Sequence, residues 1–388
     1  MKKILILLVI IYSFNQNFAQ VRTSNDVFLF PQGNPIGELN GNGTSGLSNM
    51  ISNIGSINPA ALNNFEKISF GFSYQFETKI DEAWIADIGY KRNKIFLPQS
   101  IGFQYPFKNF RLGISFRQGY NGIMDLGQIP VTTNQYPDGT GEFINFQDKI
   151  ILNDYSVIAS YSFKKVIDTW NLSIGGRFNI KNMTEDSNGF TDISFNYKGN
   201  SWAAGIMFEK RFEANKYMQY GLSYEKDISL TGHPDGGLNA TSTPNIDSTR
   251  VTYYKVINTY KAQFPARAKF DFDISLIRSI KFLGSISNVF WKNIDSSNPN
   301  AFEYAGSVVY AFNNILSSSL GIFSTRKEYY SIDKYFNTNE NLQAFFLILG
   351  SSLKIDNIQL DFSLADSHAF SGNWRKQTTG KLGIGYEF

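Results

Sequence analysis

Four arginines in extended, aromatic-rich segments are the strongest candidates for chemistry in this sequence. Arg111 and Arg117 lie in FRLGISFRQGY, Arg177 follows Trp170 in a similar segment, and Arg267 lies in QFPARAKFDFD. A guanidinium group can hold a carboxylate through two parallel hydrogen bonds. The alternative is that these arginines pair with acidic side chains of the protein itself, and we favour it for any single residue. For holding a bound carboxylate, Arg177 and Arg267 are the leading candidates.

An apolar set of side chains near the N-terminus is a candidate wall for such a site. Residues 43–64 are mostly small and polar but include Leu47, Met50, Ile51 and Ile54. A site for an amphiphile combines a charged group with apolar walls, so Met50 and Ile54 are candidate ligand contacts. Packing of these side chains against the rest of the protein, as a short amphipathic helix, is the alternative that we favour.

The sequence offers little for other kinds of chemistry. It has no cysteine, which removes thiolate catalysis and cysteine metal sites. Its only histidines, His233 and His368, stand in separate loops, and we disfavour a Ser/His/Asp hydrolase built on either one. The chain has 36 basic and 33 acidic residues, a near balance that gives no case for nucleic-acid binding. We therefore expect no enzyme activity, no cofactor and no metal.

The N-terminus has the features of a secretory signal. Lys2 and Lys3 precede an apolar run over residues 4–11, and the small residue Ala19 stands before Gln20. The run is too short to span a bilayer as a helix, so we expect cleavage after Ala19.

The segments that carry the arginines alternate apolar and polar side chains. Phe70, Phe72, Tyr74 and Phe76 fall on one face of the first segment, because successive side chains of a strand point to opposite sides. Aromatic residues make up 16% of the chain although the mean hydropathy is only −0.22. This combination is typical of a transmembrane β-barrel, whose signal per strand is weak.

Repetition of the pattern predicts about fourteen antiparallel strands. Polar connections are expected at 79–97, 121–149, 181–200 and 231–258, with short turns between them. One apolar face is expected to run from Tyr220 through Ile228 to Leu230, and another from Ala262 through Phe264 and Ala266 to Phe270. The predicted strands are 67–78, 100–107, 110–120, 155–163, 170–180, 202–208, 220–230, 262–274, 279–292, 301–312, 315–327, 340–354, 356–366 and 378–388.

Short and long connections alternate, as they do in bacterial outer-membrane barrels. The sequence therefore predicts an all-β fold, a 14-stranded antiparallel transmembrane β-barrel with an N-terminal plug inside its lumen. If the apolar face meets lipid, the opposite face lines the lumen. That face carries Arg111, Arg117, Arg177, Glu209, Arg267, Lys269, Asp271, Asp273, Lys281, Asp361, Lys381 and Glu387.

The predicted domain organisation has three parts. Residues 1–19 form the signal peptide, 20–66 a leader and the plug, and 67–388 the barrel. The leader, 20–42, is expected to be irregular and periplasmic. Proline fixes its own backbone and biases the preceding residue away from helix, so Asn58-Pro59-Ala60 is expected to fix the exit of the plug.

With the strands placed, the chain resembles the FadL-type outer-membrane transporters of long-chain fatty acids and aromatic hydrocarbons. The family's plug, called a hatch, ends in Asn-Pro-Ala, matched here by Gly46-Leu47 and Asn58-Pro59-Ala60. Its Gly-x-x-Trp-x-x-Gly pattern is matched by Gly199, Trp202 and Gly205. Further matches are YGLSYEKDISLTG at 220–232, Phe264-Pro265-Ala266, and Trp291 at the end of the ninth strand.

The resemblance implies a monomeric barrel in the bacterial outer membrane with a hatch in its lumen and passive uptake of hydrophobic small molecules. Its expected partners are the hydrophobic ligand, outer-membrane lipid and, during biogenesis, the outer-membrane assembly machinery. A relative of the same fold serves in type IX protein secretion, and fold does not fix function. A structural or secretion-associated barrel that binds protein partners is therefore the alternative.

Overall fold

A computed structural model describes residues 37–48, 50–81, 91–130, 135, 140–167, 169–188, 193–212, 216–235, 260–277, 279–294, 300–326, 330–331, 343–370 and 375–388. The structure is almost entirely antiparallel sheet. Its strands are β1 (Ser69–Asp81), β2 (Lys91–Phe107), β3 (Phe110–Pro130), β4 (Phe143–Ile167), β5 (Trp170–Asn188), β6 (Ile193–Arg211), β7 (Tyr217–Glu225), β8 (Ile228–Asp235), β9 (Tyr260–Phe264), β10 (Arg267–Ile277), β11 (Ile280–Val289), β12 (Ala301–Ala311), β13 (Leu316–Arg326), β14 (Tyr330–Ser331), β15 (Gln343–Ile355), β16 (Ile358–Asp366) and β17 (Arg375–Glu387).

The sheet closes on itself, because β1 pairs with both β2 and β17. Strands β7 and β8 are two parts of one barrel strand, both paired with β6, and β9 and β10 are two parts of the next. Strand β14 is a two-residue segment outside the direct pairing of β13 with β15. The described strands therefore form the predicted closed barrel of fourteen antiparallel strands.

The predicted alternation is confirmed along the barrel wall. On β1, Phe70 and Phe72 are exposed on the outer surface, whereas Ser69, Ser73 and Gln75 are buried on the inside. Most other strands follow the same rule, with exceptions at β8 and β9, so the outer surface is lined largely with apolar side chains and the inside is mainly polar.

Several predicted connections are wrong because the strands are longer than the apolar pattern suggests. Strand β2 begins at Lys91, and β3 and β4 extend through much of the expected loop 121–149. In the same way β5 and β6 fill most of 181–200. A strand needs only about 9–11 residues to cross a bilayer, whereas β4 has 25. In the extra length the apolar and polar alternation fades although backbone pairing continues.

Two assignments of strand faces are also wrong. Leu222 and Tyr224 are exposed as predicted, but Ile228 and Leu230 are buried on the inner face. The strand is interrupted at residues 226–227, and the change in register moves the side chains to the other side of the wall.

A second interruption, at Pro265 and Ala266, has the same effect on the neighbouring strand. Pro265 cannot donate a ladder hydrogen bond, and Phe264 pairs with Ile228 on the inner side. Phe264 and Ala266, predicted on the outer face, therefore belong with the buried residues.

Residues 37–65, here called the N-terminal segment, contain two short 3-10 helices, Ile51–Asn53 and Pro59–Asn64. The amphipathic helix considered for this region is therefore replaced by tighter turns. Residues 37–42, expected to belong to an irregular leader, are largely buried with the rest of the segment. Among the described residues, no helix is long and apolar enough to cross a membrane.

Other expectations meet the structure only in part. Trp291 lies in a third 3-10 helix, Trp291–Asn293, just after β11 and not within a strand. The predicted signal peptide, residues 1–19, lies outside the described residues.

Candidate functional site

The N-terminal segment contacts the inner face of the wall on several sides. Its first 3-10 helix contacts β1, β2 and β17, and its second contacts β3 to β7. Near its start, Gly41 accepts a hydrogen bond from Ser319 of β13, and Asn42 accepts one from Ser317. One short stretch of chain is thus fixed by strands that are far apart around the barrel.

Asn58-Pro59-Ala60 anchors the segment to the wall. The Asn58 side chain accepts a hydrogen bond from the Ala60 amide and donates to the carbonyl oxygens of Ile206 and Leu222, at 3.1 and 3.2 Å. Pro59 stands at the first position of the helix that Asn58 caps, where its missing N–H costs nothing. The motif therefore fixes the segment to β6 and β7.

Gly46 and Leu47 make two further attachments. The Gly46 amide donates to Asp271 Oδ1 on β10 at 2.9 Å, and a β-carbon on Gly46 would clash with that carboxylate. Leu47 lies in an apolar cluster with Ile54, Leu62 and other residues of the segment. The absence of a side chain on Gly46 lets the backbone approach the wall closely.

Gly175 on β5 provides space for Asn58-Pro59-Ala60, and this yields a test. A β-carbon on Gly175 would lie 2.5 Å from the Ala60 nitrogen. We expect Gly175→Val to destabilise the protein by about 1–3 kcal/mol, the usual range for an overpacked interior. Denaturant unfolding measures the loss, and limited proteolysis of residues 37–65 reports release of the segment.

Gly176 is the matched control for this substitution. It follows Gly175 directly, and the nearest atom to a β-carbon there, the Ala203 carbonyl oxygen, is 4.0 Å away. Gly176→Val should leave stability and protease resistance close to those of the parent protein. Equal effects at the two positions would contradict the assigned packing.

Cationic side chains of the wall hold the backbone of the segment. Arg177 donates to the Ile57 carbonyl oxygen at 2.7 Å, Arg111 to that of Phe65 at 2.8 Å, and Lys381 to that of Gly37 at 3.1 Å. Arg111 and Arg177, predicted as ligand contacts, are both engaged with the segment.

A further ion pair joins the start of the segment to the wall. Glu38 pairs with Lys269 of β10, which also lies 3.0 Å from Asp271. Burial raises the pKa of the Glu38 carboxyl to about 7, while the Lys269 ammonium favours its charged form. The ionisable groups predicted to face the lumen therefore pair mainly with one another and with the segment.

Five charged side chains form a network, here called the charge cluster: Arg117, Asp154, Arg177, Lys181 and Glu225. Arg117 lies 2.6 Å from Asp154, and Lys181 lies 3.3 Å from Asp154 and 3.5 Å from Glu225. Arg177 lies 3.1 Å from Glu225. Three cations and two carboxylates thus form one connected network. Arg117 and Glu225 keep small exposed fractions of 13% and 21%.

Arg267 adjoins this network, because it pairs with Glu225 in the register of β10 and β7. It also forms a buried ion pair with Glu303 of β12 at 2.8 Å, and Ser287 donates to the same carboxylate. Of the four arginines considered for ligand binding, the structure brings Arg117, Arg177 and Arg267 near Glu225, whereas Arg111 lies against Phe65.

The charge cluster is continuous with an inner apolar surface. Leu152 is the next inward residue of β4 after Asp154, and Met183 is the next on β5 after Lys181. Beyond Glu225, across the interruption, lies Ile228. With their neighbours these residues form what we call the apolar cluster: Ile150, Leu152, Met183, Tyr197, Ile228 and Leu230, with Phe264 packed against it.

Met50 and Ile54 do not lie in the apolar cluster. Ile54 packs within the segment's own core and against the inner face at Gly113. Met50 lies against β17, with its Cε atom closest to Gly383. Both side chains are buried and pack against the protein itself, which is the arrangement that we favour from the sequence.

The sequence pattern does not predict the apolar cluster as a site. Two of its residues, Ile228 and Leu230, are assigned by parity to the outer face, and others stand in expected loops. One sequence feature does point to this cluster. On several strands the inward position next to a charged residue carries an apolar residue. His368, one of the two histidines, is half-exposed and lies 3.0 Å from Asp366, away from these clusters.

These features define a closed antiparallel β-barrel with an apolar outside, a charged and apolar inside, and an N-terminal segment bound to its inner face. No protein-family profile matches the sequence, and no curated protein matches it either. Solved structures do match, over nearly the whole chain.

A Pseudomonas aeruginosa FadL homologue is similar at a TM-score of 0.56 and 13% identity, covering 95% of this chain and 99% of that one. The Pseudomonas putida toluene transporter TodX is similar at a TM-score of 0.57 and 10% identity, covering 92% of this chain and 97% of that one. The Ralstonia pickettii toluene transporter TbuX is similar at a TM-score of 0.54 and 11% identity, covering 91% of this chain and 98% of that one. The predicted resemblance to FadL-type channels is confirmed at the level of the fold.

Proposed function

We propose that the chain is an outer-membrane channel for passive uptake of hydrophobic small molecules, with residues 1–19 as a cleaved signal, 20–66 as leader and hatch, and 67–388 as the barrel. In this proposal the outer apolar surface contacts lipid, and the N-terminal segment is the hatch that closes the lumen. The barrel is inserted by the outer-membrane assembly machinery and works as a monomer without a catalytic step. The shared fold with hydrocarbon channels supports the proposal.

The observation that carries this proposal is the apolar cluster. Barrels that admit hydrophilic solutes have polar interiors, whereas here inward positions of β4, β5, β6, β8 and β9 carry apolar side chains. An apolar ligand gains from burial against such a surface, by about 25 cal/mol for each Å² removed from water. A polar solute gains nothing comparable.

The adjoining charge cluster favours an amphiphile with an anionic head group. In this proposal a long-chain carboxylate places its tail on the apolar cluster and its carboxylate beside two cations of the charge cluster, Arg117 and Lys181. We therefore propose long-chain carboxylates as the first ligand class and neutral hydrocarbons as the second. Arg177 and Arg267 then serve mainly as structural partners, Arg177 of the hatch and Arg267 of Glu303.

A substitution in the apolar cluster tests the proposal. Leu230 is fully buried, and the preceding Ser229 is exposed on the opposite face. Leu230→Asp places an unpaired charge within the apolar cluster, so uptake of labelled oleate by cells that depend on this channel should fall to near background. Ser229→Asp, made in the same strand, should retain uptake.

Expression of both variants in the outer membrane is checked by the shift in gel mobility between heated and unheated samples. Leu230→Asn, which introduces no charge, should give an intermediate rate. If the parent protein transports neither oleate nor an alkylbenzene, uptake of hydrophobic molecules is not its function.

The length of the β3 to β6 strands favours a second candidate function, binding of a protein partner. These strands have 19 to 25 residues, well beyond the length that crosses a bilayer, and their ends would project from the membrane as a platform. Shortening the β3–β4 hairpin distinguishes the two functions. It should leave oleate uptake intact if the channel function holds, and abolish recovery of a stoichiometric protein partner if the platform binds one.

A further inference from the structure

One side of the N-terminal segment is held differently from the others. Along β17, β1 and β2 the inward positions next to the segment are glycines: Gly71, Gly102, Gly383 and Gly385. The side chains that fill this space are Met50 and Ile51. The Met50 Cε atom lies 2.7 Å from the β-carbon position of Gly383, and the Ile51 Cγ2 atom lies 3.4 Å from that of Gly385. On this side the packing side chains are apolar, and one of them is a flexible methionine. The polar contacts from β17 come from Lys381, which donates to the Asn53 side chain at 2.7 Å and to the Gly37 carbonyl oxygen, and movement of the Met50 side chain leaves both in place.

Elsewhere, the segment is fixed by buried polar contacts. Arg177 binds the Ile57 carbonyl, Asn58 binds two strand carbonyls, Gly46 binds Asp271, and Ser319 binds Gly41. Parting the segment from the wall at any of these places leaves buried polar groups without partners, which is costly. Movement of Met50 breaks only apolar contacts, which a hydrophobic molecule can replace.

A pocket opens on the same side, at the rim of the barrel that carries the short turns. Its cavity volume is only about 10 Å³, and Met50, Ile51 and Phe65 form its apolar part. Gly385 lines it from β17, and Lys354 and Glu387 stand among its polar residues. The pocket therefore continues the glycine-lined face to the rim.

We propose that a hydrophobic ligand leaves the barrel between the N-terminal segment and the glycine face of β17, β1 and β2, past Met50 and through this rim pocket. The proposal rests on the channel function above and adds the route. The segment stays attached to the rest of the wall, and only Met50 and Ile51 move.

A disulfide across this face tests the route, on a background without native cysteines. A β-carbon on Gly71 would clash with the Cγ2 atom of Ile51 and lie 2.6 Å from the Ile384 carbonyl oxygen. Ile51→Cys with Gly71→Cys therefore brings the two side chains within reach of a disulfide, with a small shift of β1 away from β17. The control is Gly55→Cys with Ser115→Cys, whose β-carbon positions are 3.4 Å apart on the β3 side.

Uptake of labelled oleate is measured in cells before and after reduction, with thiol labelling to confirm each disulfide. With Ile51 and Gly71 linked, uptake should fall to the level of cells without the channel and return on reduction. With Gly55 and Ser115 linked, it should be unchanged. Retained uptake in the first linked protein, or equal loss in both, overturns the route.

A second variant keeps the test decisive if the cysteine pair fails to fold. A β-carbon on Gly385 would meet its neighbours at ordinary distances of 3.4 to 3.9 Å, so Gly385→Leu fills the rim pocket with little strain. It should slow oleate uptake, whereas Gly176→Leu, on the outer face of β5, should not. Uptake unaffected by Gly385→Leu overturns the route, while absence of uptake in the parent protein overturns the channel function instead.

Discussion

Replacement of Arg177 by methionine is expected to lower the free energy of unfolding by about 3–5 kcal/mol, the range measured when one partner of a buried ion pair is removed. The Arg177 guanidinium group reaches both the Ile57 carbonyl oxygen and the Glu225 carboxylate. Methionine has similar length but no donor, so a buried carbonyl and a buried charge lose a partner together. The loss should be among the largest of any single substitution in the inner wall.

The measurement is denaturant unfolding of protein refolded into phospholipid vesicles. Arg211→Met is the control, because Arg211 pairs with Glu209 at the rim and its side chain is 60% exposed. Exposed pairs contribute about 0–1 kcal/mol, so that variant should remain close to the parent. An equally small effect at Arg177 would show that the N-terminal segment is not held through this residue.

A second substitution separates the two roles of Arg177. Arg177→Met combined with Glu225→Gln removes the carboxylate that has lost one of its cationic partners, while Lys181 remains nearby, but still leaves the Ile57 carbonyl without its donor. The double variant should therefore recover part of the loss and not all of it. Arg177→Lys should also recover only part, since a single ammonium group cannot reproduce a planar guanidinium that binds two acceptors at once.

The barrel could be predicted from the sequence because its rule is local. Alternate residues of a strand lie on opposite faces, so positions such as Phe70 and Phe72 can be assigned to the outer face from the sequence. This assignment works wherever one face contacts an apolar medium and the other does not. It fails at Pro265 and at residues 226–227, because one irregular residue reverses parity for everything beyond it. Parity therefore places Ile228, Leu230 and Phe264 on the wrong side. A proline within an alternating strand is the sequence feature that marks such a reversal of faces.

The interior was harder to predict because its partners are distant in sequence. Arg177 is recognisable from the sequence as an inward cation, but its binding to Ile57, 120 residues away, is set by the path of the N-terminal segment. The same is true of Gly175, whose role depends on Pro59 and Ala60 lying against it. Inward glycines on neighbouring strands mark where another part of the chain lies close, and the parity of each strand is enough to identify them.

The outer surface leads to the second large prediction, which concerns Ile114 on β3. Its side chain is 58% exposed. Ile114 pairs with Val157 on the adjacent strand β4, and the Val157 side chain is exposed to the same extent. Leu112 and Phe116 flank it, which places Ile114 in the middle of the apolar belt of this strand. Arg at the centre of a lipid-facing strand costs about 2–4 kcal/mol, falling to about 0–1 kcal/mol near the interfaces. Ile114→Arg should lower stability in vesicles by the larger amount.

Phe143 supplies the contrasting position. It is 62% exposed and lies at the far end of β4, fourteen positions along the strand from Val157, so Phe143→Arg should cost little. The contrast should appear in vesicles because it depends on depth in hydrocarbon, whereas in an aqueous protein both substitutions would relieve an exposed apolar side chain. Equal effects at the two positions, or a parent protein that stays monomeric in water without detergent, would contradict membrane insertion and with it the proposed channel.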